Sequence, residues 1–488
     1  MNDHPSKPTV AIAGASGFVG TALRRALQPD YHIVALTRSP NRAQMRHPDD
    51  PTEWRLCDLF SLSEVTEALR GVDYAFYLVH SMLPSSRLTQ AHFMDLDLLL
   101  SDNFGRAAEA NQLQQIVYLG GLLPDEPEHN LSRHLRSRLE VEQNLYEHQT
   151  PVSSLRAGLI VGPGGSSLRM MVKLVQRLPL MVLPSWTQKQ TQPIALRDVM
   201  RAMRTVLGNP LFYDQVLDIG GPEVMTYRQM MERTAAQMDR KRYMLPVPLA
   251  SPRLSKYWVV SFSGSSMALT GPLVESLRHN MVAQPNALLE QIQPQAQSFD
   301  EALQESLNQE GKEYPNPRKH HRKKDDQVIR QDSYVRSVQR LPLPDDKDAY
   351  WVAREYLRWL PRFVWPFLKI RVSAEEDIFF HMWPLKHPLL KLRFRPDHSP
   401  QGRQLFFIMG GMLAQVDDSR DYGRLEFREV LNKRFIIAAI HKFKPRLPWY
   451  FYNMSQALVH LLVMIGYRYH LRKLQRRLPN QPKHKAPA

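Results

Sequence analysis

Cysteine is almost absent from this chain of 488 residues: Cys57 is the only one, so no intrachain disulfide can form. Such a composition is typical of proteins that work in a reducing compartment. The first residues also lack the apolar segment that directs secretion, because polar and charged residues lead straight into an apolar stretch at Thr9. These absences favour a cytoplasmic protein, with peripheral attachment to the inner membrane left open by the charge pattern below.

Metal-ligand spacing and long hydrophobic runs are missing as well. The histidines, including His320 and His321, are not spaced like zinc ligands, so we expect no metal site. The most apolar segment, 447–467, has only about ten uninterrupted apolar residues, whereas a membrane span needs roughly 20. This segment therefore indicates either a helix that closes a domain core or a helix that lies on or in a membrane surface.

Negative charge is scarce relative to positive charge: 64 Lys and Arg residues stand against 48 Asp and Glu residues, a net charge of +16. Much of the excess lies in the stretch 318–324 and in a tail that has no acidic residue from Arg468 onward. No nucleic-acid-binding module with stacking aromatic residues accompanies these charges, so we expect no nucleic-acid partner. The excess indicates a solvated linker and tail, or attraction to an anionic membrane surface.

What the chain does have is an apolar strand near its start that runs directly into three glycines. Gly14, Gly17 and Gly20 are followed by a helical pattern and by a second apolar strand, His32–Thr37. In dinucleotide-binding proteins such glycines permit a tight turn, close approach of the backbone to the pyrophosphate, and close packing of helix on strand. The alternative is a glycine-rich turn in another α/β fold. We predict dinucleotide contacts from Gly14, Ser16, Gly17, Phe18, Val19 and Gly20.

Strand and helix patterns alternate through the first 150 residues, which indicates a doubly wound parallel sheet of the Rossmann type. After the charged stretch, strand-like runs joined by turn residues predominate, and a long helical pattern follows them. We predict four segments: an α/β domain at 1–310, a linker at 311–332, an α+β domain with an antiparallel sheet and a long C-terminal helix at 333–477, and a basic tail at 478–488.

Residues at the carboxyl ends of the predicted strands are further candidates for cofactor contact. The second strand is followed by Arg38, where NAD-binding proteins often carry an acid, and an arginine there can pair with the 2′-phosphate of NADP. We therefore favour NADP as the cofactor, with NAD and an ordinary surface arginine as the alternative. Two groups follow the third and fourth strands: Asp58 and Leu59, and Val79, His80 and Ser81.

An ordered set of motifs resembles the extended and atypical short-chain dehydrogenases/reductases. The set comprises the glycine turn, Asp58-Leu59, Leu78–Met82, Leu155–Gly164, Thr191–Asp198 and Asp218–Pro222. Over about residues 8–300 the chain is similar to the NmrA-like branch, and in particular to bacterial YbjT-type NAD(P)-binding proteins. The resemblance implies an NAD(P) cofactor and a wall over the nicotinamide from about residues 160–300. The region 333–475 resembles START-like, helix-grip domains, which implies an apolar ligand.

The chain departs from this family where the catalytic residues are expected. Active members use a serine after the fifth strand and a Tyr-x-x-x-Lys pair, in which the tyrosine donates a proton. Here Gly120 and Gly121 stand where the serine is expected, and His134 and Arg138 have the spacing of the pair. An imidazole can donate a proton near neutral pH, whereas an arginine is a poor proton shuttle. His134 therefore either replaces the tyrosine or belongs to a degenerate site.

Two functions remain open at this point. The intact cofactor motif favours an NAD(P)H-dependent oxidoreductase that transfers hydride to an apolar carbonyl or quinone-type substrate. The missing serine and tyrosine favour a dinucleotide-binding redox sensor or scaffold without turnover. In both cases we expect an apolar small-molecule ligand or substrate as the partner.

Overall fold

The computed structural model describes residues 7–44, 50–80, 89–247, 271, 274–309, 335–415, 422–446 and 456–477. Ser81, the predicted linker and the predicted basic tail lie outside these residues. The chain divides into two compact units, of which the first comprises Met1–Leu83 and Leu100–Asp325. The second comprises Pro84–Leu99 and Asp326–Ala488, so it takes a short segment from the N-terminal part of the chain.

Seven parallel strands form the main sheet of the first unit, in the order β7-β6-β5-β4-β1-β2-β3. They are β1 (Thr9–Ala13), β2 (His32–Thr37), β3 (Glu53–Leu56), β4 (Tyr74–Tyr77), β5 (Gln115–Gly121), β6 (Val152–Ala157) and β7 (Gln215–Ile219). The strand order reverses beside β1, so the carboxyl ends of β1 and β4 border the crevice where doubly wound sheets bind ligands. The predicted Rossmann-like fold is confirmed.

The strands of this sheet are apolar on both faces because helices cover both faces. Phe76 of β4 shares a core with Leu23 and Leu27 of the helix Phe18–Leu27. Its neighbour Tyr77 points to the other face, where its ring lies 5.0 Å from that of Phe104. The helices with residues in the first unit are Phe18–Leu27, Pro40–Gln44, Leu62–Ala68, Phe93–Ala110, Arg133–Leu145, Ser166–Arg177, Leu196–Val206, Tyr227–Gln237, Ala287–Ile292 and Phe299–Gln309.

Beyond β6 the first unit contains short strand pairs and a second apolar core. Val175, Met181 and Met230 are fully buried in that core, which is separate from the core of the parallel sheet. The pairs are Ile160–Val161 with Ile194–Ala195, Gln190–Thr191 with Met225–Thr226, and Leu180–Leu183 with Tyr243–Pro246.

The second unit contains an eight-stranded sheet, seven strands of which are antiparallel neighbours. In spatial order the strands are Leu368–Val372, Asp377–Met382, Leu390–Phe394, Arg403–Gly410, Gly423–Val430, Phe435–Phe443, Val335–Pro342 and, parallel to the last, Thr89–Gln90. The helices Ala349–Phe363 and Gln456–Arg477 pack on one face, in a core that includes Trp359, Phe427 and Tyr467. The predicted antiparallel sheet and long C-terminal helix are confirmed.

Candidate functional site

The glycine turn connects β1 to the helix Phe18–Leu27. Gly14 has a φ of +91°, a conformation that favours glycine, and a Cβ there would lie 3.0 Å from the carbonyl oxygen of Leu78. The Gly17 amide donates a hydrogen bond of 2.9 Å to the carbonyl oxygen of Gly14 and closes the turn. A Cβ on Gly20 would lie only 2.3 Å from that same oxygen. Glycine at position 20 is therefore what lets the helix start so close to the turn.

The N-terminus of the helix Phe18–Leu27 is suited to an anion. Its N-cap residue is Gly17, which has no side-chain acceptor, and its first turn has no acidic residue. The first amides of a helix have no intrahelical partner and lie at the positive end of the helix dipole. Ser16 is exposed beside them. A Cβ would obstruct this turn and no side chain caps it, so its residues fit the pyrophosphate of a dinucleotide.

Phe18 and Val19, also predicted to contact the cofactor, are partly buried against the core of the sheet. The Phe18 ring lies against the glycine-rich loop that follows Ile160–Val161. A Cβ on Gly162 or Gly165 would lie 3.0 or 3.2 Å from a carbon of that ring. These side chains therefore hold the start of the helix in place, and only their backbone amides are available to an anion.

The candidates at the ends of β2 and β3 differ in exposure. Arg38 is exposed, and the Ser39 amide next to it donates to the Thr37 hydroxyl at 3.1 Å, which fixes the backbone there. Asp58 is partly exposed, and its carboxylate accepts a hydrogen bond of 3.3 Å from the Phe60 amide. Leu59 is buried, so it shapes the crevice only indirectly. Arg38 and Asp58 thus stand at adjacent strand ends, where the adenosine half of a dinucleotide lies in this fold.

His134 and Arg138 lie one turn apart on the helix Arg133–Leu145. The Ser132 side chain caps this helix by accepting a hydrogen bond of 3.2 Å from the Leu135 amide. Burial, the positive charge of Arg138 and that of His80 lower the pKa of His134 to about 3. Val79 and His80 directly follow β4. Because His80 is close enough to His134 to lower its pKa, the end of β4 lies near this helix. The structure therefore brings three of the predicted residues together.

The His134 imidazole is neutral at pH 7 because its pKa is so low. Its Nδ1 atom is buried and has no hydrogen-bond partner among the described residues. A neutral imidazole can donate a hydrogen bond through its N–H, but it is not the imidazolium that gives up a proton readily. The expectation of proton donation near neutral pH therefore lacks electrostatic support, and the role of His134 stays a prediction.

The end of β5 has space for a serine side chain at Gly121, where the family resemblance places the catalytic serine. A Cβ on Gly121 would meet nothing closer than the Ala157 carbonyl oxygen at 4.0 Å, whereas one on Gly120 would lie 3.0 Å from the Tyr118 ring. The buried Tyr118 hydroxyl donates to the Arg138 carbonyl oxygen at 3.2 Å. Its position is therefore tied to the helix backbone, and it does not replace the missing catalytic tyrosine as an exposed donor.

Gln192, which belongs to the motif Thr191–Asp198, connects three segments of the first unit. This buried side chain donates to the Gly221 carbonyl oxygen at 2.7 Å and accepts from the Ala283 amide at 3.0 Å. A Cβ on Gly220 would lie 2.5 Å from the Gln192 side chain, and one on Gly158 would lie 2.5 Å from its carbonyl oxygen. Three of the predicted motifs therefore meet at one residue. The paired glycines were the sequence signal for this close packing.

An open cleft of about 790 Å³ lies at the opposite, amino-terminal edge of the parallel sheet, beside Lys7, Tyr31, Asp73 and Tyr74. Doubly wound sheets bind their ligands outside the carboxyl ends of the strands, so we do not assign the dinucleotide to this cleft.

The described residues provide neither a metal-binding group nor a reactive thiol. They contain no group of three His, Cys, Asp or Glu side chains placed to hold a metal ion. The Cys57 thiol is buried, and burial raises its pKa, so it stays protonated near pH 7.

Comparison with known proteins gives a family match over the first unit. Residues 10–215 match the model of the NAD dependent epimerase/dehydratase family. This range includes the glycine turn and the strands β1 to β6. Auxiliary protein GraX of Staphylococcus aureus is 32% identical over 115 residues, or 24% of this chain and 37% of that protein. The chain thus matches only about a third of that relative's length.

Several solved structures resemble the chain at low sequence identity. A nucleoside-diphosphate-sugar epimerase from Staphylococcus aureus is 15% identical, with a TM-score of 0.49, over 61% of this chain and 99% of its own. The NADPH-dependent quinone oxidoreductase of Escherichia coli, solved with NADPH, is 19% identical (TM-score 0.48, 60% and 98% of the two chains). The triphenylmethane reductase of Citrobacter sp., solved with NADP(H), is 16% identical (TM-score 0.49, 61% and 99%).

Proposed function

We propose that this protein is an NADPH-dependent reductase of an apolar carbonyl or quinone-type substrate. The observation that carries the proposal is the glycine turn, in which Gly20 packs against the Gly14 carbonyl oxygen beneath an uncapped helix N-terminus. The family match over residues 10–215 supports the cofactor class. The side chains around the crevice indicate the substrate class.

Apolar side chains favour an apolar substrate. Leu78, Leu119 and Leu123 follow or end the strands β4 and β5, and each is only partly buried against the core. Ile160 is partly buried just after β6. Partly exposed leucines and isoleucine at a carboxyl edge provide apolar contacts for a ring system, and they give few hydrogen bonds to a sugar.

Each part of the dinucleotide has a matching group in the chain. The amides from Gly17 to Val19 would hold the pyrophosphate, and Arg38 would hold a 2′-phosphate through charge-assisted hydrogen bonds. Asp58 would accept from the adenine amino group. When bound, the nicotinamide would supply the hydride, and solvent water would supply the proton that the reduced oxygen takes up. The neutral His134 would orient a carbonyl oxygen through its ring N–H, and Arg138 would hold ribose oxygens.

The test is turnover of NADPH by the purified full chain with a panel of quinones and apolar ketones. We expect absorbance loss from NADPH with at least one quinone, and none with the Gly17→Val variant, whose side chain obstructs the turn. Circular dichroism of that variant shows whether it is folded. Tight NADPH binding without turnover of any quinone or ketone would refute the reductase and leave the second function.

The second candidate is a dinucleotide-binding sensor without turnover. It is favoured by the neutral state of His134 and by the absence of a hydroxyl at Gly121, where there is space for one. A sensor needs the glycine turn but not a proton donor. In a strain that depends on the protein, it predicts that His134→Ala preserves function whereas Gly17→Val abolishes it. Equal loss from both substitutions would favour catalysis.

The finer family assignments belong to the same proposal. The motifs gathered around Gln192 support the NmrA-like branch for the first unit, because segments far apart in sequence meet there. The antiparallel sheet and the helix Gln456–Arg477 support a START-like assignment for the second unit. An apolar ligand bound to that unit would be identified by mass spectrometry of the purified protein.

A further inference from the structure

Large aromatic side chains project into solvent from two adjacent turns of the second unit. Trp365 is 79% exposed and Trp383 is 70% exposed, and Phe363, Phe367 and Leu385 are also exposed. The Trp383 amide donates to the Phe367 carbonyl oxygen at 2.8 Å, so the two turns lie side by side. Exposed tryptophans in a contiguous group are unusual on a surface that meets only water, and they mark an interaction site.

The C-terminal helix Gln456–Arg477 extends this group because it is apolar on two faces. One face, with Val463, Met464, Tyr467 and Leu471, belongs to the core of the unit. A second stripe at helical spacing is exposed: Leu458, Val459, Leu462, Ile465 and Tyr469. A helix that covers only a core needs one apolar face. The second stripe therefore needs another explanation.

The stripe and the aromatic turns form one continuous surface. Gly466 lies on the same side of the helix as Leu462, one turn earlier, and a Cβ on Gly466 would lie 2.8 Å from the Phe363 ring. The Phe363 ring thus packs on the helix beside the stripe, and Trp365 follows two residues later. We name this surface the apolar face: Phe363, Trp365, Phe367, Trp383, Leu385, Leu458, Val459, Leu462, Ile465 and Tyr469.

Exposed cations border the apolar face. Arg362, Lys369 and Lys386 are exposed beside the aromatic turns. The helix Gln456–Arg477 contains no acidic residue, and its last two turns expose Arg472 and Lys473. Aromatic and aliphatic side chains surrounded by Lys and Arg match the two layers of an anionic membrane surface, acyl chains below and phosphates above.

We propose that the apolar face docks on an anionic lipid bilayer and anchors the protein peripherally. No described helix has both the length and the hydropathy for crossing a membrane, so the contact is with the surface. A second copy of the chain fits less well, because a two-fold contact would place the bordering cations opposite one another. This inference stands apart from the proposed reductase activity, since neither the glycine turn nor His134 contributes to it.

The experiment is flotation of the full-length protein with vesicles of phosphatidylcholine, with and without phosphatidylglycerol. We expect binding to the vesicles that contain phosphatidylglycerol, weakened by added salt. The double variant Leu462→Glu, Ile465→Glu should reduce partitioning by at least about tenfold, because it replaces two exposed apolar contacts by carboxylates that the anionic lipid repels. The double variant Lys369→Glu, Lys386→Glu should also reduce it by at least about tenfold.

Leu211→Glu is the matched control. Leu211 is 81% exposed but lies in the first unit, so this substitution should leave partitioning unchanged. Thermal unfolding of each variant checks that the fold is retained. The proposal is overturned if the wild type binds neither kind of vesicle, or if the apolar-face variants bind as well as the wild type. It is also overturned if sedimentation shows a dimer that the Leu462→Glu, Ile465→Glu variant dissociates, since the occupant would then be a second copy.

Discussion

Individual glycines determine whether the first unit can hold a dinucleotide. Gly14 supplies a left-handed backbone conformation, and Gly20 supplies a missing side chain at the point of closest approach. Both roles were predictable from sequence, because the spacing after a buried strand is specific to this turn. The role of Gln192 was not, since its partners Gly221 and Ala283 are far away in sequence and only the fold brings them together.

Gly20→Ala tests the close packing of helix and turn. The added Cβ would lie 2.3 Å from the Gly14 carbonyl oxygen and 2.7 Å from the Ala15 Cα, both backbone atoms that cannot move independently. We expect a loss of about 1–3 kcal/mol in the free energy of unfolding and NADPH binding weakened by at least about tenfold. Urea unfolding and fluorescence titration measure the two effects.

Gly121→Ala is the control for the unfolding measurement, because its Cβ meets nothing closer than 4.0 Å. Equal stability of the Gly20→Ala variant and the wild type would show that close packing at Gly20 does not limit the turn.

Arg38→Ala tests the choice between NADP and NAD. Arg38 is exposed at the end of β2, and we propose that it pairs with the 2′-phosphate. Removing a charge-assisted pair costs about 1.5–3 kcal/mol, which corresponds to an increase of about 10–150-fold in the Kd for NADPH. The Kd for NADH, which has no 2′-phosphate, should stay unchanged and serves as the internal control. Calorimetry that shows the same change for both coenzymes would exclude this role for Arg38.

Local sequence predicts the main elements of both units, whereas it does not reveal pairings between distant segments. Alternating apolar strands and helices predict the parallel sheet, because both faces of each strand are buried. The short strand Thr89–Gln90 precedes the helix that starts at Phe93. Its partner Arg336–Ser337 is about 250 residues away in the chain, so no local signal could reveal the pairing.

A buried carboxylate connects the strands in the middle of the second sheet. Glu426 accepts hydrogen bonds from Arg403 at 2.8 Å, Arg428 at 3.0 Å and His441 at 2.9 Å, on three adjacent strands. The neighbouring cations keep the pKa of Glu426 well below its usual value despite complete burial. Strand patterns did not predict this network, because charged residues are usually expected on the solvent side of a sheet.

Glu426→Gln should strongly destabilise the second unit. The substitution leaves the buried guanidinium groups of Arg403 and Arg428 without their carboxylate, which costs about 3–5 kcal/mol when one partner of a buried pair is removed. Differential scanning calorimetry measures the change, with Glu375→Gln as the control because Glu375 is exposed. A thermal midpoint unchanged from the wild type would mean that the network does not stabilise the sheet.

Across the whole molecule, buried neutral histidines link stability to pH in both units. Burial lowers the pKa of His134 to about 3 in the first unit and that of His460 to about 4 in the second, from an ordinary value of 6.5. Between pH 6.5 and these lowered pKa values, the two histidines are protonated in the unfolded chain but not in the folded chain. Their contribution to stability is therefore complete above pH 6.5 and is lost as the pH falls toward 4.

Each histidine should contribute a slope of up to about 1.4 kcal/mol per pH unit over that range. Urea unfolding of the wild type and of His134→Gln at several pH values measures the slope. The variant should lose less stability than the wild type on acidification. Parallel curves for the two proteins would show that His134 is accessible to protons in the folded state.

For the first unit as a whole, we propose that the glycine turn binds a nicotinamide dinucleotide and prefers NADPH. The most direct test is isothermal titration calorimetry of the purified full chain with NADPH, NADP, NADH and NAD. We expect saturable heat with NADPH, a weaker signal with NADH, and no signal from a folded Gly17→Val variant. If the folded wild-type protein gives no heat with any of the four coenzymes, the glycine turn is not a dinucleotide site.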